Sequence, residues 1–441
     1  MTTDFPAWSR LVAVAAVGSL IAAVRVAMAA PAPDSGSIVL RCGALVDGVS
    51  AAAQGPTTIV IESGRVTEVG PDAKAPDGVR ALELDGYTCL PGLIDMHTHL
   101  TMRPEESLDL SENYRRTDAQ QATISRDHAR RTLLAGFTTV RDVGSYTAWA
   151  DKAIRDEINR GETPGPRMQV AGIYLTIPGG GGDLVIPGHP ESEIPARVRV
   201  GVARGPDQFR QKAELAVAGG ADLLKVIASG AVFSYGGIPG DPEMTPEEIV
   251  AVAEVAHSHG LKLVAHAHGA RSIREAILAG VDTIEHASLI DAETIQLARQ
   301  HQVALSMDVY NGDYTDTEGR RQGWPEEFLR KNIETTEAQR RGFTAAHAAG
   351  VPIVYGTDAC IYPHGLNARQ FPIMVERGMT PMEAIQAATS VAAKFMGWSD
   401  RVGSVAPGKL GDVIAVKGDP LQDIRRLQDV SVVVKGGVVV R

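Results

Sequence analysis

The run Leu93-Ile94-Asp95-Met96-His97-Thr98-His99 closes a short apolar segment on two histidines. In a strand, residues two apart point to the same face, so His97 and His99 present two imidazoles side by side. A lone His-x-His is a weak signal. Here further apolar runs end on Lys225, His266, His286 and Asp358. Such groups at the ends of several candidate strands describe a metal site assembled at the carboxyl face of a β/α barrel.

The rest of the pattern agrees. Strand-like runs fall at 90–97, 138–143, 168–172, 223–228, 262–267, 283–287, 304–309 and 352–358, and helix-length amphipathic segments separate most of them. Examples are Ala119 to Ala135, Pro206 to Ala218 and Pro246 to His259, the last opening on the helix-start signal Thr245-Pro246-Glu247-Glu248. This alternation predicts the α/β class and a TIM (β/α)8 barrel. Short alternating segments flank it, at Ser37 to Leu40, Thr57 to Ile61, Arg65 to Val69 and Arg80 to Leu84, then at Asp412 to Val416, Val430 to Val434 and Val438 to Arg441. Neither end has enough apolar residues for its own core. Packed together they predict a small β-sandwich of residues 38–92 and 401–441, with the barrel, 93–400, inserted between them.

Two long connections break the rhythm. Thr176 to Glu193 carries Pro178-Gly179-Gly180-Gly181-Gly182-Asp183, and Ser229 to Thr245 carries four glycines. Long loops after barrel strands are where substrate is gripped. No Lys-Ser/Thr follows the glycine run, so it is not a phosphate-binding loop.

Residues 1–30 read as a secretory signal peptide. A 14-residue apolar run, Leu11 to Val24, is too short to span a bilayer and precedes the cleavage pattern Ala27-Met28-Ala29. The expectation is an exported, periplasmic or secreted protein without stable membrane insertion, or a cytoplasmic one if the start codon is misplaced. Three cysteines are not a disulfide framework. In an exported protein Cys42 could bridge Cys89, which the sequence does not establish; Cys360, two residues after Asp358, reads as a small buried apolar residue in preference to one beside the metal. A net charge of −10 with no basic patch excludes nucleic acid as a partner.

Imidazole and carboxylate are good ligands for zinc and its neighbours. Lysine as an ammonium is not. Inside Leu223-Leu224-Lys225-Val226-Ile227, however, desolvation pushes the side chain toward a neutral amine. A neutral amine can add carbon dioxide and become a carbamate able to bridge two metals. One divalent ion is then assigned to His97, His99 and Asp358 and a second to His266 and His286, with ions typically about 3.5–4 Å apart in such sites. Metal lowers the pKa of water to roughly 7, and Asp358 accepts that proton during attack and returns it to the leaving amine. His266 is preferred over His268 as a ligand because it lies nearer the strand core. His268 is left to contact substrate, serve catalysis or orient a ligand.

At these residues the chain resembles the amidohydrolase superfamily over nearly all of 38–441. The matching segments are Pro91 to His99, Gly136-Phe137-Thr138-Thr139-Val140-Arg141-Asp142, Lys225, Ala265-His266-Ala267-His268-Gly269, Ile284-Glu285-His286, Gly356-Thr357-Asp358-Ala359 and Val402 to Asp412. The resemblance implies a binuclear zinc hydrolase with a carboxylated lysine, and a homo-oligomer. Within the superfamily the chain is similar to the prolidase-like branch, which removes a C-terminal amino acid from dipeptides and N-acyl amino acids. Ochratoxin-hydrolysing amidases belong to that branch. The steps of 41 residues from Lys225 to His266 and 20 to His286 suit it. One departure stands out: the branch often carries Gly-Gly-His-Gly-Asp after strand three, where this chain has Gly179-Gly180-Gly181-Gly182-Asp183.

The leading expectation is therefore a metal-dependent amidase or carboxypeptidase acting on a small molecule or dipeptide, with His268, Tyr235 and Tyr310 as candidates to meet its carboxylate. The runner-up is hydrolysis of a cyclic amide or lactone. Mononuclear deaminases of the superfamily lack the bridging lysine and carry His-x-x-Glu after strand five, where this chain reads His266-Ala267-His268-Gly269. A catalytically dead scaffold would not need the full donor set.

Overall fold

A computed structural model of the chain describes residues 36–441; the expected export signal at 1–30 lies outside them. The N-terminal part supplies β1 (Ile38–Leu45), β2 (Thr57–Glu62), β3 (Arg65–Gly70) and β4 (Ala81–Pro91). The barrel strands follow as β5 (Leu93–Thr98), β6 (Phe137–Asp142), β7 (Arg167–Val170), β8 (Leu223–Ile227), β9 (Lys262–Gly269), β10 (Thr283–Leu289), β11 (Ala304–Ser306) and β12 (Ile353–Val354). The tail adds β13 (Val413–Lys417), β14 (Val430–Lys435) and β15 (Val438–Val439).

The chain ends join in one seven-stranded sheet of order β15-β14-β13-β4-β1-β2-β3. β4 is the hinge of this union, parallel to β1 on one side and antiparallel to β13 on the other. Leu40, Ile59, Ile61, Cys89, Val413 and Val434 bury into a single core shared by both ends. Gly36 N–H donates to Gly436 O at 3.0 Å and Val66 N–H to Lys409 O at 2.9 Å, which draws the two halves of the sheet onto that core. Cys42 of β1 and Cys89 of β4 form a disulfide, Cα atoms 5.9 Å apart, and Cys360 is a buried free thiol.

The barrel strands form two parallel stretches, β5-β6-β7 and β8-β9-β10-β11-β12. Backbone bonds close both seams. Ile227 N–H donates to Leu175 O at 2.9 Å, and Leu175 N–H to Lys225 O at 2.9 Å. At the other seam Met96 N–H donates to Tyr355 O and Asp358 N–H to His97 O, each at 2.7 Å. The result is an α/β barrel of eight parallel strands carried on a small β-sandwich, with the core running between barrel and surrounding helices.

Several strand boundaries differ from the sequence expectation, among them the seventh strand, which ends at Ser306 rather than at 309. Leu90 and Pro91 pair with Ile414 and Val413, so they belong to the sandwich, and the first barrel strand begins at Leu93. The break falls at Gly92, where a Cβ would meet Thr138 Oγ1 at 2.0 Å. The third strand stops at Val170, ahead of Gly172, whose φ is +77°. The eighth is only Ile353–Val354, because the chain beyond it leaves the ladder for a turn in which Asp358 has φ +54°. The helix expected from Pro246 spans Pro246–Ser258, and Thr245 with Glu248 forms its reciprocal capping box. None of the described helices is long and apolar enough to cross a membrane.

Candidate active site

The barrel brings His97, His99, His266, His268, His286 and Asp358 to one mouth. His97 and His99 leave the end of β5 with ring centroids 5.3 Å apart. From β9 and β10, the ring of His286 lies 4.5 Å from His266, 4.6 Å from His268 and 4.9 Å from His97. Two three-donor groups result, with ligand atoms within 4.8 Å of one another: His97, His286 and Asp358, and His266, His268 and His286. The choice of His266 over His268 does not separate them, since both imidazoles face His286. Lys225, 2% exposed on β8, lines the same cavity.

Two of these residues sit on a backbone that resists them. His286 has φ +71°, Ala287 +48° and Asp358 +54°. Non-glycine residues held in such regions cost on the order of 1–3 kcal/mol each and persist only where the surroundings over-determine them. Here they do. The buried Asp95 carboxylate accepts from Thr357 Oγ1 at 2.6 Å, Thr357 N–H at 3.1 Å and Asn367 Nδ2 at 2.8 Å, fixing the turn before Asp358. Gln339 Nε2 donates to His286 O at 3.1 Å and to Asp308 Oδ1 at 2.8 Å.

The electrostatics prepare neutral nitrogens beside anionic oxygens. Burial pushes His97 down to about 4 and holds His266 and His268 well below the usual imidazole value. For His99 burial acts the same way, but the Asp358 carboxylate at 3.3 Å outweighs it and raises the pKa. Asp358 is lowered despite burial, because His97 and His99 face it. Burial brings the Lys225 amine down to about 8. Neutral imidazoles at His97, His266 and His268, each with a ring nitrogen bearing no proton, and a carboxylate that keeps its charge are donors a zinc-like ion takes, so the residues present fit a metal centre.

Sequence reasoning missed the partners behind the ligands. Glu285 lies 2.9 Å from His97 Nδ1, and its other oxygen accepts from Arg141 at 2.8 Å in the barrel interior. Burial alone would raise the Glu285 pKa, yet Arg141 outweighs it and holds the carboxyl well below its usual range. Asp308 accepts from His286 Nδ1 at 2.9 Å. The available signal was a charged residue inside each of two strands that the barrel pattern buries, Arg141 in Phe137 to Asp142 and Glu285 in Thr283 to Leu289. Two further expectations need correction. Tyr235 packs on Phe328 with ring centroids 4.9 Å apart, and Tyr310 packs on Tyr362 at the same spacing; neither lines the cavity. Their loops turn them outward to those rings, and Tyr146 and Tyr174 occupy the wall instead, the latter 3.1 Å from His99 Nδ1. Cys360 also lines the cavity, whose space including the solvent at its mouth is about 800 Å³.

Residues 88–440 match the model of the amidohydrolase family. Ochratoxinase of Aspergillus niger is 30% identical over 366 residues, covering 79% of this chain and 74% of that protein. A solved Xaa-Pro dipeptidase with methionine bound in its active site superposes with a TM-score of 0.84 at 33% identity, covering 92% of this chain and 99% of that one. A solved prolidase in complex with N-methylphosphonate-L-proline gives a TM-score of 0.84 at 27% identity, with the same coverage of 92% and 99%.

Proposed function

The chain belongs to the amidohydrolase family and is a hydrolase of amide bonds, and on that premise we propose that it releases a C-terminal amino acid from N-acyl amino acids or dipeptides. The observation that carries the reading is Asp358, whose Oδ1 lies 3.4 Å from His97 Nε2 and 3.3 Å from His99 Nε2, beside a second histidine group sharing His286. The similarity to an ochratoxinase, an Xaa-Pro dipeptidase and a prolidase supports the substrate class.

In this proposal His97, His99 and Asp358 would hold one divalent ion, zinc by donor chemistry, and His266 and His286 a second, and Lys225 as a carbamate would supply further oxygen donors to them. Lys225 is suited to that role because its amine is neutral in a useful fraction near pH 8, and it gives up a proton as its nitrogen bonds to carbon dioxide. Bound ions of this kind polarise the amide carbonyl and lower the pKa of water to roughly 7. Asp358 accepts the proton of the attacking water on a carboxylate oxygen and delivers it to the departing amine nitrogen. Tyr174 and His268 border the space where the substrate lies and are placed to contact it. Export is part of the proposal, supported by the Cys42–Cys89 disulfide, which suits an oxidising compartment. So are a homo-oligomeric state and a division into a sandwich of 38–92 and 401–441 and a barrel of 93–400.

One observation favours a second reading, hydrolysis of a cyclic amide or lactone. Among the described residues no arginine lines the cavity, and its one lysine is Lys225, so a substrate carboxylate meets no dedicated side-chain cation. A rate panel on the zinc-loaded protein separates the two: N-acyl amino acids and dipeptides with apolar, aromatic, proline and basic C-termini, a carboxyl-blocked amide and a lactone. Release of free amino acid that is lost on blocking the carboxylate supports the carboxypeptidase reading. Turnover of only the blocked amide or the lactone overturns it.

A further inference from the structure

The connection after β8 shapes one wall of the cavity with three consecutive residues, Ala231, Val232 and Phe233. These residues lie in no helix or strand, so their backbone groups need partners from elsewhere. The helix Glu326–Ala348 supplies one for the Ala231 carbonyl and one for that of Ser234, the next residue. Lys331, 1% exposed on its side chain, donates to Ser234 O at 2.7 Å and Ala231 O at 3.4 Å, and lies 2.8 Å from Glu327 Oε1. An ammonium has three protons, and these three oxygens take them all. Glu327 in turn accepts from Gly236 N–H at 2.9 Å. At its far end the same connection is tied to the glycine run, where Gly181 N–H donates to Glu243 Oε2 at 2.8 Å. Asn332, Thr335, Thr336 and Gln339, spaced along one face of that helix, also line the cavity.

A buried lysine is seldom placed to hold two loop carbonyls without consequence, because taking its charge out of water is expensive. This one touches neither the histidines nor Asp358. It fixes where the apolar wall stands relative to the polar helix face. We propose that Lys331 is a positioning residue that sets substrate selectivity, clamping Ala231, Val232 and Phe233 against the apolar substituent of the substrate. The inference rests on the reading of this cavity as the substrate site.

The test compares the zinc-loaded wild type with Lys331→Met, a neutral side chain of similar length. Two substrate series are used: N-acyl amino acids with large and small apolar C-terminal side chains at one acyl group, and large and small acyl groups at one C-terminus. The expected result is that the large-to-small ratio of kcat/KM falls about tenfold or more in one series, as befits a lost apolar contact. The loss appears in KM, kcat on the small substrate stays within about twofold, and bound zinc is unchanged. A ratio unchanged in both series, or kcat lowered by one factor on every substrate, overturns the inference. If the wild type cleaves neither series, the carboxypeptidase reading fails. The ratio is then measured on lactones with large and small apolar substituents, where a fall supports the clamp and an unchanged ratio overturns it. If Lys331→Met does not fold, Glu327→Ala removes the partly exposed partner of the clamp, and the ratio must fall in the same direction or the inference is overturned.

Discussion

His97 Nδ1 lies 2.9 Å from the Glu285 carboxylate, itself paired with Arg141, whereas His266 Nε2 meets the neutral Gly230 carbonyl at 3.3 Å and His268 Nδ1 the Ser288 hydroxyl at 2.8 Å. The two histidine groups at this mouth are thus supported differently. Behind β5 stands a buried ion pair, Arg141 with Glu285, backing the neutral His97 imidazole. Behind β9 stand dipoles. A carboxylate behind an imidazole fixes its tautomer and raises its basicity more than a carbonyl or hydroxyl does. The β5 side is therefore the rigid half of the site and the β9 side the adaptable half, with His286 and its Asp308 partner shared between them.

The largest expected effect lies in the rigid half. Asp358→Asn keeps the shape and removes the proton acceptor, so kcat falls by about 10²–10⁴-fold, read in steady-state assays with metal content measured on the same samples. A loss under tenfold removes Asp358 from proton transfer. Next comes Glu285→Gln. It leaves the Arg141 charge buried without its partner, at a cost of about 3–5 kcal/mol in unfolding free energy. It also weakens metal affinity about 10–100-fold in chelator competition.

Protonation sharpens the contrast within the β5 group. His97 is pushed down to about 4, so its neutral form prevails above that pH, while His99 is raised and keeps its proton above the ordinary imidazole value. In metal-free protein at pH 5, imidazole nitrogen shifts should show His97 neutral and His99 charged. Metal must displace the His99 proton, so affinity there falls by up to about tenfold per pH unit as pH drops below the His99 pKa. Two histidines titrating together would contradict this. The smallest effect belongs to the adaptable half. Ser288→Ala should cost about 1 kcal/mol, the net worth of an ordinary hydrogen bond, and leave metal affinity within a few fold. If it matches Glu285→Gln in chelator competition, the distinction between the halves collapses.

Much of the site was legible because each donor ends an apolar run. His97, Lys225, His266 and His286 all lie on strands at the mouth, and the helix-start signal at Thr245 marks a real capping box. The substrate wall was not legible. Tyr235 and Tyr310 stand in long connections of the kind that grip substrate, but an irregular segment has no periodicity to say which way a side chain faces. Tyr174 and Tyr146 follow short strands, carry no pattern of their own and yet line the cavity.

By itself the sequence determined what strand periodicity and chemistry decide: eight apolar segments in barrel order, and the residues their ends would present. Those are local properties, written within a few residues of each other. Only the tertiary structure decided the pairings that cross long stretches of chain. Arg141 meets Glu285 across 144 positions, Lys331 holds Ser234 across 97, and Asp95 secures Thr357 across 262. A buried charge demands a partner, but nothing in its neighbourhood along the chain says which distant residue will stand within about 3 Å once the barrel closes.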